Sequence, residues 1–348
     1  MKVLFQCNAI SPYRNDFYNE LAKLCDLTVC FETENGEHTH RDKKWFEGMT
    51  CEYKKIKLTQ KKTFLKFKRG NIEDEIKKGY DCVILGNYLS FTGLIAVKTC
   101  KKLKTKVFVS ADGALVKKDK FYVFLMKKHI LCGCDGFLSP SEKTDEYFLK
   151  YGVKKEKIHR YNFTNLKNSE ILPFYKRENN PVPTVFSVGQ FIHRKGFDLL
   201  IKACYDLRVN LVICGGQPTQ EIEELCESLQ VKNATFLPFK TKSEIAELYE
   251  NADIFVLPTR EDNWGLVINE AMNYSLPVIT TDKCVAGLQL ITHSGGIITP
   301  SENAQALKEG IIKLFDYDLR QSFGKYNNEK IKENTVENMA KAVIEAVK

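Results

Sequence analysis

The sequence predicts an α/β protein built from two Rossmann-like, doubly wound domains in series. Three observations predict this fold class. Short apolar runs alternate with longer amphipathic segments, which is the pattern of parallel strands joined by helices. A cluster of prolines and asparagines interrupts the alternation near the middle of the chain, after which it begins again. The length of 348 residues is too great for one ordinary core and suits two.

The first domain is predicted over residues 1–170. It opens with the strand Val3–Phe5, the helix Phe17–Leu24 and the strand Leu27–Phe31, which form a βαβ unit. The alternation continues through the segments Cys82–Leu85, Leu94–Cys100, Val107–Val109, Phe121–Leu131 and Gly136–Pro140. These segments together predict one parallel-sheet domain.

The second domain is predicted over residues 184–332, after a proline-containing linker at 171–183. Its strands and helices are expected at Thr184–Val188, Leu199–Cys204, Leu211–Cys214, Ile222–Leu229, Thr235–Leu237, Ile245–Tyr249, Ile254–Leu257 and Val278–Thr280. A capped amphipathic helix is expected at Thr335–Val347, and a C-terminal helix over about 333–348 is expected to pack back onto the first domain. Because doubly wound sheets bind ligands beyond the carboxyl ends of their strands, we expect the domains to face each other across a cleft for two substrates.

Composition excludes several classes of protein. With 43% hydrophobic and 28% charged residues and no apolar run near the ~20 residues that span a bilayer, neither a transmembrane nor a disordered chain is expected. The opening Met1–Gln6 turns polar at once, so a cytoplasmic location is expected. The 12 cysteines are scattered, and only Cys132 and Cys134 lie close together, without a zinc or redox spacing. Buried, reduced thiols are therefore expected.

A polar loop in the second domain carries the sharpest motif. It reads Pro258-Thr-Arg-Glu-Asp-Asn-Trp-Gly between a predicted strand and a predicted helix. Gly265 leaves room for a ligand at the helix start, where free N–H groups favour an anion such as a diphosphate. Asp262 and Glu270 are then placed to hold hydroxyls on either side of the anion. The alternative, left open, is that Asp262 merely N-caps the helix and Glu270 is solvated.

Two glycine-containing segments follow other strands of the second domain. After Val188 come Gly189, Arg194 and Lys195, and these two cations can neutralise a phosphate at the next helix start. An exposed loop with incidental basic residues is the alternative. After Ile213 come Gly215 and Gly216, which alone indicate only a turn.

Together, in this order and at these intervals, the three segments resemble the family 4 glycosyltransferases, which are retaining enzymes of the GT-B fold. The resemblance is strongest over Thr184–Pro300. It implies a hexosyltransferase that holds a nucleotide-sugar donor mainly in the second domain. It also implies a glycan or lipid-linked acceptor, and neither a metal nor another cofactor. The single Asp-x-Asp triplet, Asp316-Tyr317-Asp318, is interpreted as an exposed helix junction rather than a metal site.

The resemblance also assigns the donor-binding residues. The family signature of an acidic residue, seven others and a glutamate falls on Asp262 and Glu270. It assigns Glu270 to the ribose hydroxyls and Asp262 to the sugar hydroxyls; the first position is usually glutamate, so Glu261 is a second candidate there. The backbone expected near the sugar and phosphate is that of Trp264, Gly265, Leu266 and Val267.

The family's basic pair on the diphosphate falls on Gln190 and Lys195. Gln190 lacks the charge, and Arg194 is the neighbouring cation that can compensate. Lys195 is expected to stabilise the departing nucleoside diphosphate, a role that metal ions fill in other glycosyltransferases. The glycines Gly189, Gly215 and Gly216 complete the expected donor site.

The first domain supplies the expected acceptor side. Ser11 and Arg14 lie at the start of its first helix, where the family keeps a loop facing donor and acceptor; an ordinary cap region is the alternative. Asp112 follows a strand at a position where family members often carry histidine or an acidic residue. The resemblance implies a substrate contact near the reacting sugar, and a simple turn is the alternative. The expected catalytic residues are Asp112, Lys195 and Asp262.

The net charge of +8 is concentrated in the first half. Residues 1–178 hold 35 Lys and Arg against 22 Asp and Glu, whereas residues 179–348 hold 17 against 22. Two basic stretches, Lys54–Arg69 with Phe64, Leu65 and Phe67, and Lys117–Leu131, interleave lysines with apolar residues. They predict peripheral contact with an anionic membrane, or alternatively helices with solvated basic rims.

The sequence thus predicts a retaining glycosyltransferase of polysaccharide or cell-surface glycan biosynthesis. Two alternatives stay open. One is a nucleotide-sugar epimerase, which shares the fold and needs no acceptor. The other is a basic nucleic-acid-binding protein; because the basic stretches contain no recognised nucleic-acid motif, no nucleic-acid partner is expected.

Overall fold

The computed structural model describes residues 1–33, 48–62, 68–291 and 293–348. The chain divides into two compact units. Unit 1 comprises Met1–Asn168 together with Thr335–Lys348, and unit 2 comprises Ser169–Asn334. Phe64, Leu65 and Phe67, the apolar residues noted in the basic stretch Lys54–Arg69, lie outside the described residues.

Unit 1 contains a seven-stranded parallel sheet in the order β3-β2-β1-β6-β7-β8-β9 and a two-stranded antiparallel hairpin, β4-β5. Its strands are β1 (Lys2–Cys7), β2 (Asp26–Phe31), β3 (Lys54–Lys57), β4 (Gln60–Lys62), β5 (Lys68–Gly70), β6 (Cys82–Leu85), β7 (Lys106–Ser110), β8 (Gly136–Ser139) and β9 (Ile158–Arg160). Its helices are α1 (Pro12–Ala22), α2 (Ile72–Ile76), α3 (Phe91–Leu103), α4 (Phe121–Leu131), α5 (Glu142–Lys150) and, at the C-terminus, α13 (Val336–Val347).

Unit 2 contains a six-stranded parallel sheet in the order β12-β11-β10-β13-β14-β15. Its strands are β10 (Thr184–Val188), β11 (Asn210–Cys214), β12 (Ala234–Leu237), β13 (Ile254–Leu257), β14 (Val278–Thr281) and β15 (Gly296–Thr299). Its helices are α6 (Phe197–Cys204), α7 (Gln220–Ser228), α8 (Lys242–Glu250), α9 (Leu266–Asn273), α10 (Val285–Leu290), α11 (Ala304–Lys313) and α12 (Tyr317–Ile331).

Both sheets are doubly wound, as predicted. The central strands are short apolar runs buried along their whole length, such as β6 and β13, because helices cover both faces of a parallel sheet. In each sheet the strand order reverses beside the first strand, between β1 and β6 in unit 1 and between β10 and β13 in unit 2. A crevice for ligands forms at such a switch point, beyond the carboxyl ends of the strands.

The C-terminal helix α13 is part of unit 1. Thr335 caps its start by accepting a hydrogen bond from the N–H of Asn338, and its buried face includes Met339 and Val343. The N–H of Val336 donates to the carbonyl of Leu166 at 2.8 Å. An amphipathic helix needs an apolar partner surface, and α13 finds it beside α1.

Three features differ from the sequence-based expectation. The segment 171–183 is part of unit 2 rather than a separate linker, because the Arg177 side chain is buried and donates to the carbonyls of Tyr249, Glu250, Ala252 and Tyr274. Helix α1 begins at Pro12, five residues before the predicted start. Eight of the twelve cysteines are buried as expected, whereas Cys132 is exposed and three others are half-buried.

Candidate functional site

Two loops meet at the switch point of unit 2. A short 3-10 turn, His193–Lys195, follows β10, and the polar loop beginning at Pro258 follows β13. The N–H of Arg260 donates to the carbonyl of Arg194 at 2.8 Å, and the hydroxyl of Thr259 donates to the same carbonyl at 2.9 Å. Gly196 has φ of 72°, and a Cβ there would lie 2.1 Å from the carbonyl oxygen of Pro258. Glycine therefore permits the close approach of the two loops.

An ion pair joins the two loops. Lys195 Nζ lies 2.6 Å from Asp262 Oδ2, and the two side chains are 13% and 14% exposed. Arg194 lies 3.6 Å from the same carboxylate and donates to the carbonyl of Glu261 at 2.7 Å, and its side chain is 44% exposed. The site thus contains two cations on one carboxylate, within reach of an incoming anion.

Asp262 does not cap helix α9. The N-cap is Gly265, with φ of 97°, and the Asp262 backbone is instead fixed by its N–H donating to the carbonyl of Lys283 at 2.9 Å. The alternative in which Asp262 is only a helix cap is therefore wrong. Because no side chain caps α9, its first N–H groups remain available to a ligand beside the half-buried Leu266 and Val267.

Trp264 is a packing residue within this loop. Its side chain is buried and donates from Nε1 to the side-chain oxygen of Asn269 at 2.9 Å. Its carbonyl accepts from the N–H of Ala286 at 2.9 Å. Trp264 thereby fixes the backbone that precedes Gly265 instead of presenting its ring to a ligand.

The glycines after β10 and β11 lie against each other. A Cβ on Gly215 would lie 2.2 Å from the carbonyl oxygen of Gly189, whereas a Cβ on Gly216 would meet nothing closer than 3.8 Å. The aliphatic part of Lys195 crosses Gly189, since a Cβ at that glycine would lie 3.3 Å from Lys195 Cε. Gln190 follows directly and is half-buried, with its carbonyl accepting from Ile192 at 2.8 Å.

Glu270 is half-buried on α9 and is held by a tyrosine. The hydroxyl of Tyr249 donates to Glu270 Oε2 at 2.8 Å. The Tyr249 ring is buried and stacks on Tyr274 with centroids 5.1 Å apart. Burial and the neighbouring Glu270 raise the pKa of Tyr249 well above its ordinary value, so the phenol stays protonated and donates. The alternative of a freely solvated Glu270 is therefore wrong.

Sequence reasoning missed Arg260, which braces both loops. Its guanidinium binds the Asp198 carboxylate through two bonds of 2.7 and 2.8 Å, donates to Glu302 at 2.5 Å and donates to the carbonyl of His193 at 2.7 Å. Burial raises the pKa of Asp198, but the hydrogen bonds and charge of Arg260 outweigh it and lower that pKa. The sequence feature that could have identified Arg260 is the presence of an arginine inside an otherwise acidic loop.

Unit 1 contains a second ion pair near its own switch point. The Arg14 guanidinium binds the Asp112 carboxylate, to which the hydroxyl of Tyr13 also donates at 3.5 Å. Arg14 is buried between the rings of Phe5 and Phe163, at 5.7 and 5.8 Å. Burial lowers the pKa of Arg14, but the charge of Asp112 and the neighbouring tyrosines keep it well above its ordinary value. Arg14 and Asp112, which were predicted as separate acceptor-side contacts, therefore form an ion pair with each other.

Two polar atoms at this pair have no hydrogen-bond partner in the described part of the chain. They are Nη1 of Arg14 and the hydroxyl of Ser11, both buried. Ser11 occupies the N-cap position of α1, followed by Pro12, yet only its carbonyl is used, accepting from Asn15 at 2.8 Å. The ordinary-cap alternative thus holds for its backbone alone.

A polar cluster in unit 1 was also missed. The amide of Gln6 donates to Glu32 Oε1 at 2.9 Å, and the amide of Asn87 donates to the same oxygen at 3.3 Å. Burial raises the pKa of Glu32, which hydrogen bonds only partly offset. The signal was available, because each residue stands at the carboxyl end of one of three adjacent strands, β1, β2 and β6.

The acidic triplet near the C-terminus is a helix start. Asp316 caps α12 by accepting from the N–H of Leu319 at 3.0 Å. Among residues 1–33, 48–62, 68–291 and 293–348, no cluster of three or more His, Cys, Asp or Glu side chains is placed to hold a metal ion. Within the same residues, no helix has the length and apolar character needed to cross a membrane.

Comparisons with known proteins show that this chain is similar to glycosyltransferases. Residues 168–330 match the family model described as glycosyl transferases group 1. An uncharacterized glycosyltransferase of Methanocaldococcus jannaschii is 27% identical over 234 residues, covering 62% of this chain and 66% of that protein. The capsular polysaccharide biosynthesis glycosyltransferase CapM of Staphylococcus aureus is 26% identical over 239 residues, covering 63% and 62%.

The fold is shared along the whole chain. HepE of Anabaena, solved in complex with UDP, superposes with a TM-score of 0.78 at 14% identity, covering 99% of each chain. This similarity confirms the predicted fold class of two parallel-sheet α/β domains. The alignments with the first curated relatives span only 66%, 48% and 41% of those proteins.

Proposed function

We propose, on the premise that residues 168–330 belong to the group 1 glycosyl transferases, that this protein is a retaining hexosyltransferase of family 4. It transfers a sugar from a nucleotide-sugar donor to a glycan or lipid-linked acceptor. The observation that carries the proposal is the Lys195–Asp262 ion pair at the switch point of unit 2, the place where a doubly wound sheet binds its ligand.

The donor is proposed to bind along the strand ends of unit 2. Its diphosphate lies against the backbone of Gly189 and Gly215, with Lys195 turning from Asp262 to the phosphate oxygens and Arg194 beside it. Glu270, oriented by Tyr249, accepts hydrogen bonds from the ribose hydroxyls. The UDP bound by the similarly folded HepE supports a nucleotide in this role.

The chemistry is proposed to proceed by front-face attack. The acceptor hydroxyl approaches the anomeric carbon from the side of the leaving group, the new C–O bond forms as the bond to the phosphate oxygen breaks, and a phosphate oxygen of the leaving group takes the proton. Lys195 and the start of α9 stabilise the charge that develops on the leaving diphosphate. Asp262 then holds the sugar hydroxyls, and no metal ion is assigned a role.

The acceptor is proposed to contact unit 1 at Asp112, whose side chain is 31% exposed, with Ser11 and Arg14 behind it. The similarity to CapM supports a role in cell-surface polysaccharide biosynthesis. The cytoplasmic location expected from the sequence remains a prediction.

A thermal-shift screen tests the donor site. UDP, GDP, ADP and their glucose conjugates are added to the wild type, to Glu270→Ala and to the control Glu223→Ala, an exposed glutamate on α7. One nucleotide is expected to raise the melting temperature of the wild type and the control and to lose that effect in Glu270→Ala. Equal stabilisation of all three proteins, or of none, would contradict the assignment.

Product analysis then separates transfer from epimerisation. The stabilising donor is incubated with the wild type and no acceptor, and the sugar is identified. A transferase leaves the configuration of the donor sugar unchanged. Conversion of the donor to its epimer would instead support the alternative function and exclude the proposed one.

A further inference from the structure

Helix α4 of unit 1 exposes an apolar face. Phe121 is 76% exposed, Tyr122 67%, Leu125 47% and Met126 46%. The spacing of i, i+1, i+4 and i+5 places these four side chains on one side of the helix. Four large apolar side chains gathered on one exposed helix face are unusual for a surface without a partner.

The opposite side of α4 is firmly attached to unit 1. Ile130 and Leu131 are buried, and the Phe124 ring packs against Tyr151 with centroids 5.4 Å apart. Lys127 donates to Asp119 at 2.9 Å, which ties the helix to the loop before it. The exposed face is therefore fixed outward by the packing of the other face.

Positive charge surrounds the apolar face. Lys118, Lys120 and Lys128 are exposed, and no residue in the described ranges forms an ion pair with them. Lys128 also lines a groove of about 520 Å³ beside Leu125, together with Lys101 and His129. The carboxylate of Asp119, in the segment before α4, is already bound to Lys127 and Tyr151. The surface therefore lacks its own counter-charge.

We propose that α4 and the preceding residues 116–120 dock on the surface of a bilayer that contains anionic phospholipids. Phe121 and Tyr122 enter the interfacial region, which favours aromatic rings, and Leu125 and Met126 reach the acyl boundary. The unpaired lysines contact headgroup phosphates, one of which occupies the basic groove. A second copy of this chain does not fit, because two such faces would bring like charges together.

This inference goes beyond the proposed function and does not depend on the identity of the donor. It assigns α4 of unit 1, and no residue of unit 2, to the membrane. In the other basic stretch, Lys54–Arg69, the apolar residues Phe64, Leu65 and Phe67 lie outside the described residues. The edge strand β3 contributes exposed lysines but only the half-buried Ile56.

Vesicle sedimentation tests the proposal. The wild type is mixed at low salt with vesicles of phosphatidylcholine containing about 30% phosphatidylglycerol, and with vesicles of phosphatidylcholine alone. Binding is expected for the anionic vesicles only. The double variant Phe121→Ser/Tyr122→Ser is expected to bind at least about tenfold more weakly. Substituting Lys118, Lys120 and Lys128 by Gln is expected to weaken binding about fivefold per lysine.

The matched control is Ile312→Ser/Phe315→Ser in unit 2, which removes apolar side chains of 45% and 38% exposure. It is expected to bind vesicles like the wild type. Absence of wild-type binding, or equal binding by all variants, would overturn the proposal. So would a wild-type dimer that becomes monomeric in Phe121→Ser/Tyr122→Ser without vesicle binding.

The nucleotide-induced thermal shift keeps the two proposals separable. All α4 variants are expected to melt cooperatively and to retain the shift, because the donor residues lie in unit 2. Loss of vesicle binding in a protein that still responds to nucleotide concerns α4 alone. Vesicle binding without any response to a nucleotide would count against the proposed donor site and leave the docking surface intact.

Discussion

Each unit contains an ion pair between a cation and an aspartate, and the two pairs differ in burial. Each pairs a cation that follows its first strand, Arg14 in unit 1 and Lys195 in unit 2, with an aspartate that follows a later strand, Asp112 or Asp262. In unit 1 the cation is buried between rings and the carboxylate is 31% exposed. In unit 2 both partners are partly accessible, and lysine has a flexible stem.

The difference indicates what each pair offers to a ligand. A buried arginine cannot leave its partner, so unit 1 presents a fixed carboxylate, which suits an acceptor hydroxyl. The lysine of unit 2 can exchange Asp262 for another anion, which suits a diphosphate. The first pair is accordingly expected to matter most for stability and the second for activity.

The largest effect is expected from Asp112→Asn. It leaves the positive charge of Arg14 buried without a counter-charge, so the free energy of unfolding should fall by about 3–5 kcal/mol. Urea denaturation measures the change. Asp74→Asn, which affects an exposed pair in unit 1, serves as the control and should stay within about 0.5 kcal/mol of wild type. A loss below about 1 kcal/mol for Asp112→Asn would show that the pair is not structural.

Lys195→Ala should instead act on the reaction. Loss of the cation that we propose to face the leaving diphosphate is expected to lower kcat about 10²- to 10³-fold. The free energy of unfolding should change by no more than about 1 kcal/mol, because Arg194, 3.6 Å from the Asp262 carboxylate, still supplies a counter-charge when the lysine is removed. Turnover of the donor selected by thermal shift is the measurement. Arg194→Ala, the exposed neighbour, should lose less than about tenfold; equal losses would refute a special role of Lys195.

Most of the fold, and the two loops that follow β10 and β13, could be predicted from the sequence. Strands β10, β11 and β13 were predicted to within one residue, because their apolar runs end abruptly at glycine or proline. The two ion pairs could not be predicted from the sequence. Lys195 and Asp262 stand 67 positions apart, and Arg14 and Asp112 stand 98 apart, so their contact depends on the order of strands in the sheet.

The burial of individual side chains also could not be predicted from the sequence. Arg177 lies in the segment 171–183, which was predicted as a linker, and only the structure brings together the carbonyl groups that surround it. Helix α4 was predicted with its observed ends, Phe121 and Leu131. Its exposed face could not be predicted, since apolar residues occupy both sides of the helix and periodicity then gives no direction.

Neighbouring glycines give a sharper test of the donor loops. Gly215→Ala places a Cβ 2.2 Å from the carbonyl of Gly189, so the loops after β10 and β11 must separate. We expect a loss of about 2–3 kcal/mol in unfolding free energy and weaker nucleotide binding. Gly216→Ala meets only the Phe191 ring, at an ordinary contact distance of 3.8 Å, and should cost only the strain of its positive φ, about 1 kcal/mol. Equal losses in denaturant and nucleotide titrations would mean that the close approach of Gly189 and Gly215 is unimportant.

The smallest effect concerns pH in unit 1. Because burial raises the pKa of Glu32, the folded chain binds this proton more tightly than the unfolded chain. This carboxyl therefore lowers the free energy of unfolding as pH rises above its unfolded pKa of about 4.3. Glu32→Gln should gain stability relative to wild type between about pH 4 and pH 7, measured by urea denaturation at each pH. A constant difference would show that Glu32 does not titrate in this range.

The membership of α13 in unit 1 has a consequence for synthesis. Unit 2 is a continuous stretch, Ser169–Asn334, whereas unit 1 is completed by Thr335–Lys348, which the ribosome makes after unit 2. Unit 2 can therefore mature while the chain is still being made, but unit 1 waits for Thr335–Lys348 to cover its apolar surface beside α1. Until then unit 1, which contains the basic face, exposes the apolar surface that chaperones would bind.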